Sequence, residues 1–225
     1  MTQVRLTATN MVSNVRAITD TDATDVTDAV IKLYLRDGFN RIIDLERRWN
    51  FLEVTFSFTT VVNQSAYTID NYTAYDMREV VSIVDADNAR LEYIGYDVAE
   101  EEFLVTGPTS GDPLFFSMWA NQIHIFPTPN AAIPLVVRGY RLPDDWVTAS
   151  TTVPDCPVQF DIPLVYYAIS RIYQSQEEIQ TAAVYNNSFA EAISVARKDL
   201  VRAPSATPVV FAGGKSVRRF KGSDW

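Results

Sequence analysis

The thirty residues from Gly111 to Tyr140, GDPLFFSMWANQIHIFPTPNAAIPLVVRGY, constrain the fold more than any other part of this chain. They predict three short strands, Leu114–Trp119, Gln122–Phe126 and Leu135–Tyr140, parted by a turn at Ala120-Asn121 and a proline-bounded loop, Pro127–Asn130. Val, Ile and aromatic residues crowd the strands, as a half-buried pleated surface requires, while Pro and Asn mark the turns. None of the three carries a set of catalytic side chains. Long segments of helical period lie on either side, so the pattern is that of an assembly part rather than an enzyme pocket.

At 225 residues and 47% hydrophobic, the chain can bury a real core, as one large domain or two small ones. No run approaches the roughly 18 apolar residues that a membrane helix needs. The start, MTQVRLTATNMVSNVR, lacks an apolar signal-peptide core, so a cytoplasm-like compartment is expected and no membrane partner. Cys156 is the only cysteine, which excludes an internal disulfide and any multi-cysteine metal site.

Charge is unevenly spread. The net charge is −9, from 19 basic and 28 acidic residues. From Arg202 onward, Lys215, Arg218, Arg219 and Lys221 join it against Asp224 alone, a net of +4 that leaves −13 on residues 1–201. An acidic body argues against tight nucleic-acid binding, since like charges repel phosphates, but not against a surface that nucleic acid slides past.

The first helical segment is expected from about Thr24, its cap, to Trp49. Ile31, Leu35, Phe39, Ile42, Leu45 and Trp49 recur every three or four residues as one buried stripe, with Val26, Val30 and Leu33 widening it. A short helix is expected before it, around Thr7–Arg16, and Gly38 weakens the middle of the longer one slightly. Strands follow at Glu53–Val61, Ser65–Ile69 and Arg78–Val84, with Asp85–Asn88 as a hairpin turn into Arg90–Ile94. Asp97–Glu102 reads as a short exposed helix or loop. About seven short strands at regular spacing predict a small sandwich or barrel.

After a Thr/Pro-rich connector, Val147–Pro157, helical period returns. Val165, Ala168, Ile169, Ile172 and Tyr173 form one stripe, with Pro163 near the helix start. A second helix, about Glu178–Val201, sets Ala182, Asn186, Phe189, Ile193, Ala196 and Leu200 in a heptad-like seam. The expected fold is thus α+β: a discontinuous helical bundle, 1–52 with 150–202, carrying an inserted antiparallel β domain, 53–149. The stretch 203–225, rich in Pro, Gly, Ser and basic residues, cannot build a core alone.

A search for chemistry finds little. His124 is the only histidine, so a metal site with two imidazole ligands is excluded, and it alternates with Ile123 and Ile125 as a packing or surface residue. Ala212-Gly-Gly-Lys215-Ser216 echoes the end of a phosphate loop but lacks its leading glycine and its strand–helix setting. Asp97, Glu100, Glu101 and Glu102 have the donors for a divalent cation, or for acid–base pairing with Asp144 or Asp145; a solvated loop explains them better. Tyr67, Tyr72, Tyr75, Tyr93, Tyr96 and Trp119 offer a platform for sugars or bases, though packing accounts for them more simply. In the tail, Arg202, Lys215, Arg218, Arg219 and Lys221, with Phe220 and Trp225, have the composition of a docking peptide or of a plain disordered end.

The order of segments resembles that of the head-to-tail adaptor, or connector, proteins of tailed bacteriophages, which sit beneath the portal. The matching pieces are a helix ending in Arg47-Arg-Trp49-Asn-Phe51, the strand VTFSFTT, SAYTID, GDPLFFSMWANQIHIFPTPN, LVVRGYRLPDDW and the helix opening VPDCPVQFDIPLVYYAISRIY, spanning most of residues 24–175. Asn63-Gln64 stands where the family often has glycine, and Asp70 where proline is common. The resemblance implies a structural, non-enzymatic virion protein without cofactor, a ring commonly of twelve copies around the DNA channel, and a C-terminal segment that reaches the portal. It implies as partners the portal protein, copies of the chain itself, a tail or nozzle protein, and double-stranded DNA passing without specific binding. The carboxylates of Asp97 and Glu100–Glu102 would then face a channel or an interface. Another tail-tube or tail-completion protein is the alternative, and a sugar-binding module or hydrolase the third class.

Overall fold

Both periodicities are realised in the computed structural model, which describes residues 5–105, 110–147 and 152–200. The fold is mixed α+β, as expected. Its helices are α1 (Ala8–Thr19), α2 (Asp28–Leu45), the short α3 (Tyr96–Ala99), α4 (Asp161–Ser175) and α5 (Ile179–Leu200).

Thr7 caps α1, its hydroxyl accepting the Asn10 N–H at 3.2 Å, and Ala8, Met11, Val12 and Val15 are buried along one face. Helix α2 starts later than the expected Thr24. The Thr24 hydroxyl and N–H both donate to the Asp22 carboxylate, closing a turn, and Thr27 caps the helix instead. These hydrogen bonds, the one from the Thr24 side chain first, hold the Asp22 carboxyl below the usual carboxylate range.

Ile31, Leu35, Phe39 and Ile42 are buried as the stripe predicts, each contributing about 1.5–3 kcal/mol by burial. Val30, Leu33 and Leu45 are exposed, contrary to expectation, because one face of α2 alone meets the core. Trp49 is buried past the helix end, where its indole N–H donates to the Ile42 carbonyl at 3.1 Å.

Helix α4 is buried at Leu164, Val165, Ala168, Ile169 and Ile172, and it packs against α1, α2 and α5. Its contact with α2 requires Gly38: a Cβ there would lie 2.8 Å from Cδ1 of Tyr167. On α5, Ala182, Phe189, Ile193 and Ala196 line the seam. Asn186 does not. It is exposed, and Tyr185 takes its place against the rings of Tyr166 and Tyr173, since an amide in that seam would be left without hydrogen-bond partners.

The strands are β1 (Glu53–Thr59), β2 (Ala66–Thr68), β3 (Met77–Asp85), β4 (Glu92–Tyr93), β5 (Ser110–Gly111), β6 (Phe115–Trp119), β7 (Gln122–Phe126), β8 (Thr128–Pro129) and β9 (Pro134–Arg141). One sheet has the order β1-β9-β3, all antiparallel, and a second β2-β7-β6-β4. The strand ending at Tyr140 joins the first sheet, apart from its chain neighbours β6 and β7. One expectation is corrected here: β4 pairs with β6 in parallel rather than completing a hairpin with β3. The Asp85–Asn88 turn does form, with Asn88 at φ 63°, but only a single bridge, Val84 to Arg90, follows it. A further parallel pair joins β5 and β8, so the β region is not wholly antiparallel. β3 bulges twice where it crosses β9, and a Cβ on Gly139 would sit 2.1 Å from the Glu79 carbonyl oxygen; only glycine permits that approach.

Two apolar cores result. One gathers α1, α2, α4 and α5 with Trp49, Leu52, Tyr140 and Trp146. The other draws Phe56, Phe58, Ile83, Leu135 and Val137 from the first sheet and Tyr67, Phe116, Ile123 and Ile125 from the second.

Candidate interaction surfaces

Strand alternation decides which side of the second sheet each residue serves. In β6, Phe116 and Met118 face the core shared with the first sheet, so Ser117 and Trp119 face the other way, and in β7 His124 lies opposite Ser117. Ala120 and Asn121 between the strands have φ of 51° and 59°, the geometry of a tight hairpin turn.

The outer face is covered by the acidic segment. Tyr96 stacks on Trp119 with ring centroids 5.2 Å apart and meets His124 edge-on at 4.9 Å; Phe103 stacks on Phe126 at 5.3 Å. Tyr96, Ala99 and Phe103 therefore turn inward from α3 and the π turn Glu100–Val105 that continues it, while Asp97, Glu100, Glu101 and Glu102 are exposed. The four carboxylates form a strap across the sheet, and the expected short exposed helix is its first turn. Trp119 remains 61% exposed at its edge.

Beneath the strap, burial lowers the pKa of His124 from its ordinary 6.5, and among the described residues neither its Nε2 nor Oγ of buried Ser117 has a hydrogen-bond partner. The two therefore do not form the hydrogen-bonded base and nucleophile of a hydrolase. Asp144 and Asp145, considered as acid–base partners for the strap, pair instead with Arg141 and Arg36. Cys156 is buried, and desolvation pushes its thiol far up, so it is not a thiolate nucleophile. Among the described residues no group of three His, Cys, Asp or Glu side chains is arranged to hold a metal ion. No helix among them is long and apolar enough to cross a membrane.

Between β3 and the inner side of the same sheet opens a cleft of 740 Å³. Tyr93, Phe116 and Met118 supply its apolar wall, and Arg48, Arg78 and Arg90 its charge. Arg48 pairs with Glu79 at 2.7 Å. Arg78 and Arg90 donate to the Ile43 and Val81 carbonyls, at 3.1 Å each, and neither has a carboxylate partner among the described residues. Sequence reading missed this basic cleft, because its three arginines come from distant segments that only the bulged β3 brings together. The tail residues Arg202, Lys215, Arg218, Arg219, Phe220, Lys221 and Trp225 lie outside the described residues.

Among the described residues, the two cores and the strapped sheet bring together no hydrogen-bonded catalytic pair and no metal-holding cluster. A family model described as SU10 adaptor protein matches residues 6–210. The chain belongs to this family. The match runs through both cores, the acidic strap and the basic cleft. The family is one of structural phage adaptors, which carries with it a place in the virion neck, oligomerisation, and contact with portal and tail proteins. None of the curated proteins matches the chain.

Proposed function

We propose that this adaptor forms a dodecameric ring beneath the portal of a tailed bacteriophage, extends the DNA channel, and offers the platform on which the tail attaches. The family match over residues 6–210 carries the reading. The two cores support a finer one, in which 1–52 and 150–202 form a discontinuous helical bundle and 53–149 an inserted β sandwich. Residues 203–225, basic and aromatic, then reach the portal, with Arg202, Lys215, Arg218, Arg219, Phe220, Lys221 and Trp225 as contact residues.

The −13 body fits a channel wall that DNA passes without adhering, since like charges keep the phosphates off it. The reading assigns the adaptor no catalytic step and no cofactor. Assembly in the host cytoplasm precedes its place in the finished neck. The test is a virus stock grown without this protein. DNA-filled heads that lack tails are expected; tailed, infectious particles assembled without it would overturn the proposal.

A further inference from the structure

We propose that the basic cleft of one copy receives the acidic strap of the next, so that these two surfaces make the head-to-tail contact around the ring. The inference rests on the ring reading above and identifies the surfaces that build it.

Two like-charged bodies at −13 repel, so association needs a place where the local charge is reversed. The cleft is such a place. Arg48, Arg78 and Arg90 converge there against Glu79 alone, and the guanidinium groups of Arg78 and Arg90 have no carboxylate partner among the described residues. The strap is its complement in charge and shape: Asp97, Glu100, Glu101 and Glu102 protrude from a short helix and one π turn, without a basic side chain between them.

Geometry favours a second copy as occupant. Phe116 and Met118 of β6 border the cleft, while Ser117 and Trp119 of the same strand lie under the strap. The cleft thus opens between β3 and the inner side of the second sheet, while the strap covers that sheet's outer side, so the sheet separates one copy's strap from its own cleft. A contact between two different patches is heterologous, the kind that closes into rings, whereas a patch meeting itself gives only a pair. The exposed rings of Tyr93, at the cleft, and Trp119, beside the strap, supply apolar area at the rim of the contact. DNA is the poorer occupant, because a duplex entering the cleft brings its phosphates against the acidic body as well.

The experiment uses charge reversal in the full chain, scored as rings on purified portal by electron microscopy and sedimentation. Arg78→Glu with Arg90→Glu, and separately Glu100→Arg with Glu101→Arg, should each weaken ring formation by about tenfold or more. All four changes in one chain should restore most of it. Wild-type rings accompanied by unimpaired rings from both variants, or no recovery in the fourfold variant, would overturn the cleft–strap contact and leave the ring reading intact. Variants that ring normally but no longer bind tail protein or DNA would assign the cleft to that partner and sink the proposal likewise. Wild-type protein that forms no ring would sink both readings. Should the reversals fail to fold, Arg90→Cys with Glu101→Cys keeps the question open to measurement. Oxidised rings should yield a covalent ladder of multimers, with native Cys156 buried and inert; assembled rings that yield only monomers would count against the contact.

Discussion

Asp161 holds Arg5 in a two-pronged ion pair, with Nε 3.2 Å from one carboxylate oxygen and Nη2 3.1 Å from the other. The same carboxylate accepts the Leu6 N–H at 2.8 Å, and Arg5 also donates to the Pro154 carbonyl. One buried acid at the start of α4 thus fixes both the segment entering α1 and the connector that follows the β region.

Removing the cation leaves that carboxylate buried without its partner. Arg5→Ala should cost about 3 kcal/mol, the low end for a broken buried pair because the arginine is partly exposed. The melting temperature should fall by about 6–12 °C. Arg5→Met combined with Asp161→Leu should recover much of the loss, and calorimetry of the three proteins checks both statements.

Gly38→Ala sets two effects against each other. Alanine improves an exposed helix interior by about 1 kcal/mol, but overpacking a core costs about 1–3 kcal/mol. Here the new Cβ meets Cδ1 of the Tyr167 ring at 2.8 Å and Cγ at 3.0 Å, and the Tyr167 hydroxyl is tied to the Asp37 carboxylate, so the ring cannot swing away. A net loss of about 1–2 kcal/mol is expected, read from the urea midpoint; a gain would mean that the α2–α4 contact is looser than the geometry describes.

The His124 pKa is lowered on folding, mainly by desolvation, so the unfolded chain binds the proton more readily. By linkage its contribution to stability is full above the unfolded value near 6.5 and is lost as pH falls through the folded value. Wild-type protein should therefore weaken faster than His124→Gln between about pH 6.5 and the lower folded pKa, as denaturant titrations at stepped pH will register. The variant should assemble normally, since the histidine packs under the strap.

Local pattern revealed the elements; partner choice was hidden. Thr24 and Thr27 are equally good caps in sequence, and only the Asp22 carboxylate, which captures Thr24, decides between them. The spacing of Asn186 and Tyr185 on α5 is ambiguous by one residue, and the rings of Tyr166 and Tyr173 choose the tyrosine. β9 is legible as a strand but its partners are not: its hydrogen bonds go to β1 and β3, a non-local pairing that no local signal encodes. The acidic strap was visible as a charge run, whereas the inward spacing of Tyr96, Ala99 and Phe103 shows which side it covers only once the sheet beneath is known. The basic cleft was invisible for the same reason.

The tail gives a separable prediction. Deleting residues 203–225 should abolish portal binding and leave the described body folded, because both cores lie within earlier residues. Phe220→Ala and Trp225→Ala should each weaken binding more than any single arginine change, as buried aromatic anchors dominate most interfaces. Undiminished binding of the truncated adaptor, measured by pull-down on portal rings, would rule the docking role out.

The central claim is a ring built on the portal, and electron microscopy of the purified adaptor, alone and mixed with portal rings, tests it most directly. Mutual repulsion of acidic bodies predicts monomers at micromolar concentration and low salt, and a closed ring capping one end of each portal once the two are mixed. Portals left bare at saturating adaptor, or decorated by scattered single copies, would contradict the account.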